Sequence, residues 1–109
     1  MAPSIFPIAA GYLLGSAVST EKAQAVLGCV ATKTATAGLW GVDLTGIPYD
    51  PTKHIVTAMV TGVSTSDNVQ VEVSASGTGF QIQAFRGAGA VVAANESMHF
   101  TVHKLSADK

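Results

Sequence analysis

Charged side chains are scarce in this sequence of 109 residues. Asp, Glu, Lys and Arg together make up 12% of it, whereas about 25% is typical of globular domains. The net charge is −1, and the six Lys and Arg residues form no cluster. Phosphate backbones and anionic lipid surfaces are bound through concentrated positive charge. We therefore expect neither nucleic acid nor a membrane among the partners.

Cysteine occurs once, at Cys29, so no disulfide can form within the chain. Its apolar neighbours in AVLGCVAT favour a buried thiol over a reactive one. A chain of 109 residues has the length of one domain. A modest hydrophobic core, rather than covalent cross-links, must stabilise that domain.

Recognisable catalytic arrangements are missing as well. No serine lies in a G-x-S-x-G turn of the kind that presents a nucleophile. The carboxylates lie far apart along the chain rather than in pairs for acid–base work. They include Asp43, Asp50, Asp67, Glu72 and Glu96. We therefore expect no enzyme activity and no cofactor.

Histidines are the remaining candidates for a metal site, at His54, His99 and His103. On one strand, His99 and His103 would lie about 13 Å apart at roughly 3.3 Å per residue. That separation is too large for two ligands of one zinc ion. No metal site within one chain is expected. The alternative is that the same histidine from several copies converges on a symmetry axis.

Aromatic residues make up only 6% of the chain. Trp40 and Tyr49 flank one segment that also carries two aspartates. One interpretation is a shallow glycan site that uses both rings. The other is that Trp40 closes the end of the core and Tyr49 packs on Pro48 or Pro51.

Alternation of apolar and polar residues is the strongest positive signal. It occurs in NVQVEVSA, GTGFQIQAFRG and SMHFTVHKL, and it is typical of half-buried strands. The short link at Ser76 to Gly79 joins the first two segments into a hairpin. The residues expected to face the core are Val71, Val73, Phe80, Ile82, Phe100 and Val102.

Other segments are less clearly patterned. HIVTAMVTGV is apolar on both faces, which predicts a central or covered strand. Gln24 to Thr32 is interpreted as a strand, although Ser19 could cap a short helix that ends before Gly28. GLWGVDLTGIPYDPTK predicts a long loop or two short extended pieces. Short strands about ten residues apart indicate an all-β domain, a single small antiparallel β-sandwich or jelly roll.

The first twenty residues contain no charged side chain. Pro3 and Pro7 disfavour a helix at the start, and the apolar run is too short and too broken for a membrane span. We expect an extended apolar assembly arm over 1–20, before a sandwich domain over 21–109, that adds as a strand to a neighbouring subunit. The alternative is that this segment is the first strand of its own sandwich. The predicted contact residues are Ile5, Phe6, Ile8, Tyr12, Leu13 and Leu14.

The second half also carries the pattern V…V.V…GTGF.I.AF…G.A, followed by the closing strand MHFTVHKL. With its many Ala, Gly, Thr, Ser and Val residues, Lys53 to Leu105 resembles the small β-sandwich modules of tailed-phage virion proteins. Some of those modules are similar to H-type lectins. The Trp usual in their closing strand is absent here, where Phe100 and Val102 stand. No functional residue is carried over from the resemblance.

The resemblance and the low charge together predict a virion structural protein. The expected role is a small capsid decoration subunit that strengthens the shell. Its expected partners are copies of itself, as a homotrimer or homodimer, and the major capsid protein or another virion protein. The alternative is a receptor- or glycan-binding tail-fibre tip, a lectin-like adhesion module.

Overall fold

The computed structural model describes residues 4–61, 69–86 and 92–106. All regular elements within those ranges are β-strands. They are β1 (Ser4–Leu13), β2 (Val26–Leu27), β3 (Cys29–Lys33), β4 (Leu39–Leu44), β5 (His54–Val60), β6 (Val69–Ser76), β7 (Gly79–Arg86), β8 (Val92–Ala93) and β9 (Met98–Ser106).

The strands form two sheets that enclose the core between them. Sheet A has four strands in the order β2-β1-β9-β5. Sheet B has five: the order is β3-β4-β7-β6, and β8 also pairs with β7. The pairings of both sheets are antiparallel. This architecture confirms the predicted all-β fold, a small antiparallel β-sandwich.

The predicted hairpin is present in sheet B, with β7 as an inner strand and β6 at the edge. β6 and β7 pair from Val69 opposite Arg86 to Ser76 opposite Gly79. The tight turn contains Gly77 with φ of 58°, a conformation that glycine adopts without strain. Alternate residues of β7 face inward, as the pattern predicted, with Phe80 and Ile82 at most 1% exposed.

The predicted closing strand, β9, is an inner strand of sheet A between β1 and β5. Its alternate residues Met98, Phe100 and Val102 are buried, which confirms the predicted phase. The ring centroid of Phe100 lies 6.4 Å from that of Phe80 in an edge-on contact. Because the two rings come from different sheets, this contact joins the layers of the sandwich.

The N-terminal segment is also an inner strand, so a separate arm over 1–20 is wrong for residues 4–13. β1 pairs with β9 from Ser4 opposite Ser106 to Leu13 opposite Met98, with an irregularity after Pro7. Its other edge pairs with β2. Leu13 is fully buried, because the chain's own core covers the apolar side of β1. The proposed boundary between 1–20 and 21–109 therefore divides a single sheet.

Of the two alternatives predicted for the HIVTAMVTGV segment, a central or a covered strand, the central strand is wrong. β5 is an edge strand of sheet A. Its inner side packs on the core through Val56, Ala58 and Val60, while Ile55 and Met59 on its outer side are 43% and 61% exposed. The outer side of β5 is thus apolar, and no other part of the described chain covers it. Residues 62–63 of the segment lie outside the described residues.

The remaining strands come from the less clearly patterned half. The segment 24–32, predicted as one strand, forms two strands in different sheets, β2 in sheet A and β3 in sheet B, separated by Gly28 with φ of 75°. The described residues form no helix there. The segment predicted as a loop or short extended pieces contains β4, an inner strand of sheet B. Trp40, Val42 and Leu44 alternate inward from it and are buried.

Candidate functional site

The outer face of sheet A is the surface that stands out from the rest of the described chain. It consists of the residues of β1, β2, β5 and β9 that point away from the core. Register places them in rows across the sheet: Tyr12 beside His99 beside Met59, and Ala10 beside Thr101 beside Thr57.

Large apolar side chains on this face are exposed to solvent. Leu27 is 75% exposed, Met59 61% and Ile5 59%, with Ile55 and Leu105 at 43% and 36%. These side chains share one sheet face, where Ile5 lies beside Leu105, and the polar β9 residues His99, Thr101 and His103 lie between the two edges. Exposed apolar side chains gathered on one face in this way mark interaction sites in soluble proteins.

Charge is missing from the same face over the described strands. Its polar side chains are Thr57, Thr101, His99 and His103. Lys53 lies at the rim, where its carbonyl oxygen accepts a hydrogen bond from the Leu105 backbone N–H at 2.7 Å. Between the rows, a hollow of about 130 Å³ is lined by Thr57, Met59, His99, Phe100 and Thr101.

The outer face of sheet B has the opposite character. The hairpin presents Gln70, Glu72 and Ser74 from β6, and Gln81 and Gln83 from β7. β4 adds the exposed Asp43. An ordinary solvated sheet face looks like this, so the apolar character of sheet A is not a general property of the chain.

The six predicted assembly residues are separated by the structure. Ile5 and Tyr12 lie on the outer face of sheet A, where the Tyr12 ring contacts His99 with centroids 5.0 Å apart. Phe6 and Leu14 are exposed elsewhere, at 43% and 45%, and Ile8 is half-buried. Leu13 is in the core at 0% exposure, so its predicted contact with a neighbouring subunit is wrong.

The main aromatic ring of the predicted glycan site is buried. Trp40 is 1% exposed, so its ring cannot stack on a sugar, and its predicted glycan contact is wrong. Tyr49 is half-buried, with its ring centroid 5.0 Å from Phe80 and 5.8 Å from His54. Trp40 is part of the core and Tyr49 packs against that core, which favours the alternative interpretation in which both rings serve packing.

The histidines lie in two different environments. His54 is buried, and its Nδ1 accepts a hydrogen bond from the Asp50 backbone N–H at 2.9 Å. His99 and His103 lie two rows apart on the outer face of sheet A. Among the described residues, no three His, Cys, Asp or Glu side chains come together as a metal site would require.

The carboxylates are equally dispersed. Asp50 accepts hydrogen bonds from the Thr52 hydroxyl at 2.7 Å and its backbone N–H at 2.9 Å, and these bonds lower the pKa of the Asp50 carboxyl. Glu96 forms an ion pair with Arg86 at 2.7 Å, and Asp67 lies outside the described residues. Asp43 lines a hollow of about 360 Å³ with Leu44, Gly46, Ile47, Pro48 and Thr78. This lining provides no second group for acid–base work.

Cys29 is buried, and that burial raises the pKa of its thiol. A protonated, inaccessible thiol is a poor nucleophile. The sequence interpretation of Cys29 as a buried apolar residue therefore agrees with its position in β3.

Comparison of the chain with family models, curated proteins and solved structures found no match. The described residues contain no helix with the length and hydropathy to cross a membrane.

Proposed function

We propose that this protein is a non-enzymatic structural subunit of a larger assembly. The form that accords with the resemblance of Lys53 to Leu105 is a small decoration protein of a tailed-phage capsid. In that role it associates with copies of itself and binds the shell of the virion. The observation that carries the proposal is the uncharged, apolar outer face of sheet A.

The core of the sandwich does not need this face. The inner side of sheet A is already buried through Leu13, Met98, Phe100 and Val102. A partner that covers Leu27 and Met59 stabilises the complex by roughly 25 cal/mol for each Å² of apolar surface that it removes from water. The exposed residues therefore favour association over a solitary role.

The fibre-tip alternative receives less support. A glycan-binding module needs an exposed aromatic platform, and Trp40 is buried. Binding of the isolated protein to host cells or to a glycan array, without any affinity for shells, would favour that alternative over the decoration role.

The decisive experiment mixes the full chain with capsid shells that lack it. We expect the protein to sediment with the shells and to raise their melting temperature, since a ligand that binds the assembled state stabilises it. Shells of an unrelated phage provide the control. Failure to sediment with any candidate shell, at concentrations well above those in an infected cell, would contradict the decoration role.

A further inference from the structure

We infer that the outer face of sheet A binds a second copy of this chain, as a face-to-face dimer with twofold symmetry. This inference rests on the proposed assembly role and names the partner of its apolar surface. The surface is marked by Ile5, Tyr12, Leu27, Ile55, Met59 and Leu105.

Charge is the first argument for an identical partner. Two copies of a charged face repel each other, and a charged partner needs opposite charges to pair with. The described strands place no Asp, Glu, Lys or Arg on this face. An uncharged face meets its own copy without repulsion and leaves no buried charge unpaired.

Area is the second argument. The strands of sheet A have 10, 9, 7 and 2 residues, so at about 3.3 Å per residue and 4.8 Å between strands their flat area is about 440 Å². The relief of the protruding side chains adds to this area. Weak interfaces bury less than about 600 Å² of accessible surface on each partner, and standard ones about 800 Å². The face thus has the size of a weak dimer interface.

The distribution of side-chain size is the third argument. The middle row consists of the small residues Ala10, Thr101 and Thr57, with Leu27 beside Ala10 at the β2 edge. Larger side chains lie on both sides of this row along the strands, with Met59 toward one end and Ile55 toward the other. A twofold axis along the middle row places its small residues opposite their own copies and Leu27 opposite Leu27. The two sheets can then approach to about 10 Å, as in sandwiches.

Sedimentation equilibrium of the full chain tests the inference. We expect the wild-type protein to be a dimer, and Met59→Lys or Leu27→Lys to weaken dimerisation at least about 100-fold, because each dimer then buries two unpaired charges. The matched control is Val30→Lys. Val30 is 45% exposed on the outer side of β3 in sheet B, and its substitution should leave the dimer intact.

A second measurement locates the interface without introducing a charge. In Thr57→Cys the new thiol should be protected from a maleimide at high protein concentration and react after dilution. Ser74→Cys, on the outer face of sheet B, should react equally at both concentrations. Circular dichroism melting establishes that each variant is folded.

The possible outcomes separate the dimer from the assembly role. A wild-type monomer at about 100 μM, far above ordinary dimer dissociation constants, overturns the dimer. So does equal weakening by Met59→Lys and Val30→Lys. A monomer that still binds shells, with binding lost in Met59→Lys, shows that a shell protein covers the face and leaves the assembly role standing. A dimer that binds no shell supports the inference and contradicts the decoration role.

Discussion

Gly11→Ala tests whether β1 is part of the core, because Gly11 lies beside Phe100 on the neighbouring strand of sheet A. A Cβ at Gly11 would lie 2.7 Å from Phe100 Cε1 and 2.7 Å from Val26 Cγ1. Both distances are far below van der Waals contact of about 3.5–4.0 Å. Phe100 is 2% exposed, so its ring cannot move aside without displacing other core residues.

Two opposing effects set the change in the free energy of unfolding that Gly11→Ala causes. Overpacking a well-filled core destabilises by about 1–3 kcal/mol. Replacing glycine by alanine stabilises by about 0.4–1 kcal/mol through the entropy of the unfolded chain. We therefore expect Gly11→Ala to lower the free energy of unfolding by about 1–2 kcal/mol.

Gly41→Ala is the matched control. Gly41 is also a strand glycine, but the nearest atom to an added Cβ is Thr32 O at 4.0 Å. This substitution should leave stability unchanged or raise it by up to about 1 kcal/mol. Urea unfolding, followed by the fluorescence of the buried Trp40, measures both variants. Equal stability of Gly11→Ala and Gly41→Ala would show that β1 does not pack on Phe100, and the assembly-arm interpretation would return.

Four other predictions follow from the core and from the titrating groups. Deleting residues 2–15 removes β1 and should abolish cooperative thermal unfolding; a truncated chain that still melts cooperatively would contradict the described sheet. In urea titrations, Phe100→Ala should lower the free energy of unfolding by about 3–5 kcal/mol and Gln81→Ala by less than about 0.5 kcal/mol. Equal losses of stability in the two variants would contradict the assignment of inward and outward residues. The Cys29 thiol, whose pKa burial raises, should react with Ellman's reagent at pH 8 only after unfolding; rapid reaction of the native protein would contradict its burial. The pKa of Asp50 is lowered by hydrogen bonds from Thr52. Its contribution to stability is therefore present above the unfolded value near 3.8 and is lost as the pH falls through the lower pKa of the folded state. Asp50→Ala should therefore flatten the acid limb of a melting-temperature profile, and an unchanged limb would count against those bonds.

The hairpin and the closing strand could be predicted because their alternation is uninterrupted. In β7 and β9, apolar residues such as Ile82 and Phe100 stand at every second position, and the core covers the side of each strand that carries them. Period-two patterning encodes this arrangement directly. Burial of these residues therefore followed from the sequence without knowledge of their partners.

β1 and β5 could not be placed in the same way. The pairing of β1 with β9 is irregular between Pro7 and Ala9, which breaks the alternation that would have marked a strand. In β5 both sides are apolar, and the sequence does not say whether the core or another molecule covers the second side. The structure answers that question through exposure, because Ile55 and Met59 on the second side are 43% and 61% exposed and the described part of the chain does not cover them.

The candidate surface was only partly predictable, for a related reason. Ile5 and Tyr12 were found because the N-terminal run is conspicuous. Leu27, Met59 and Leu105 are far from that run in sequence, and only the register of β1, β2, β5 and β9 brings them together. The exposed hydrophobic residues of β5 were the available signal, since they implied a covered strand.

The proposed assembly role requires that the outer face of sheet A is buried when the protein assembles. Methyl NMR with a soluble paramagnetic agent tests this residue by residue, at concentrations above and below self-association. Leu27 and Met59 are 75% and 61% exposed in a single chain, and Val30 on sheet B is 45% exposed. We expect the Leu27 and Met59 methyl signals to be protected at high concentration and the Val30 signals to be broadened at both concentrations. Broadening of the Leu27 and Met59 signals in the assembled protein, to the extent seen at Val30, would contradict the proposed assembly role.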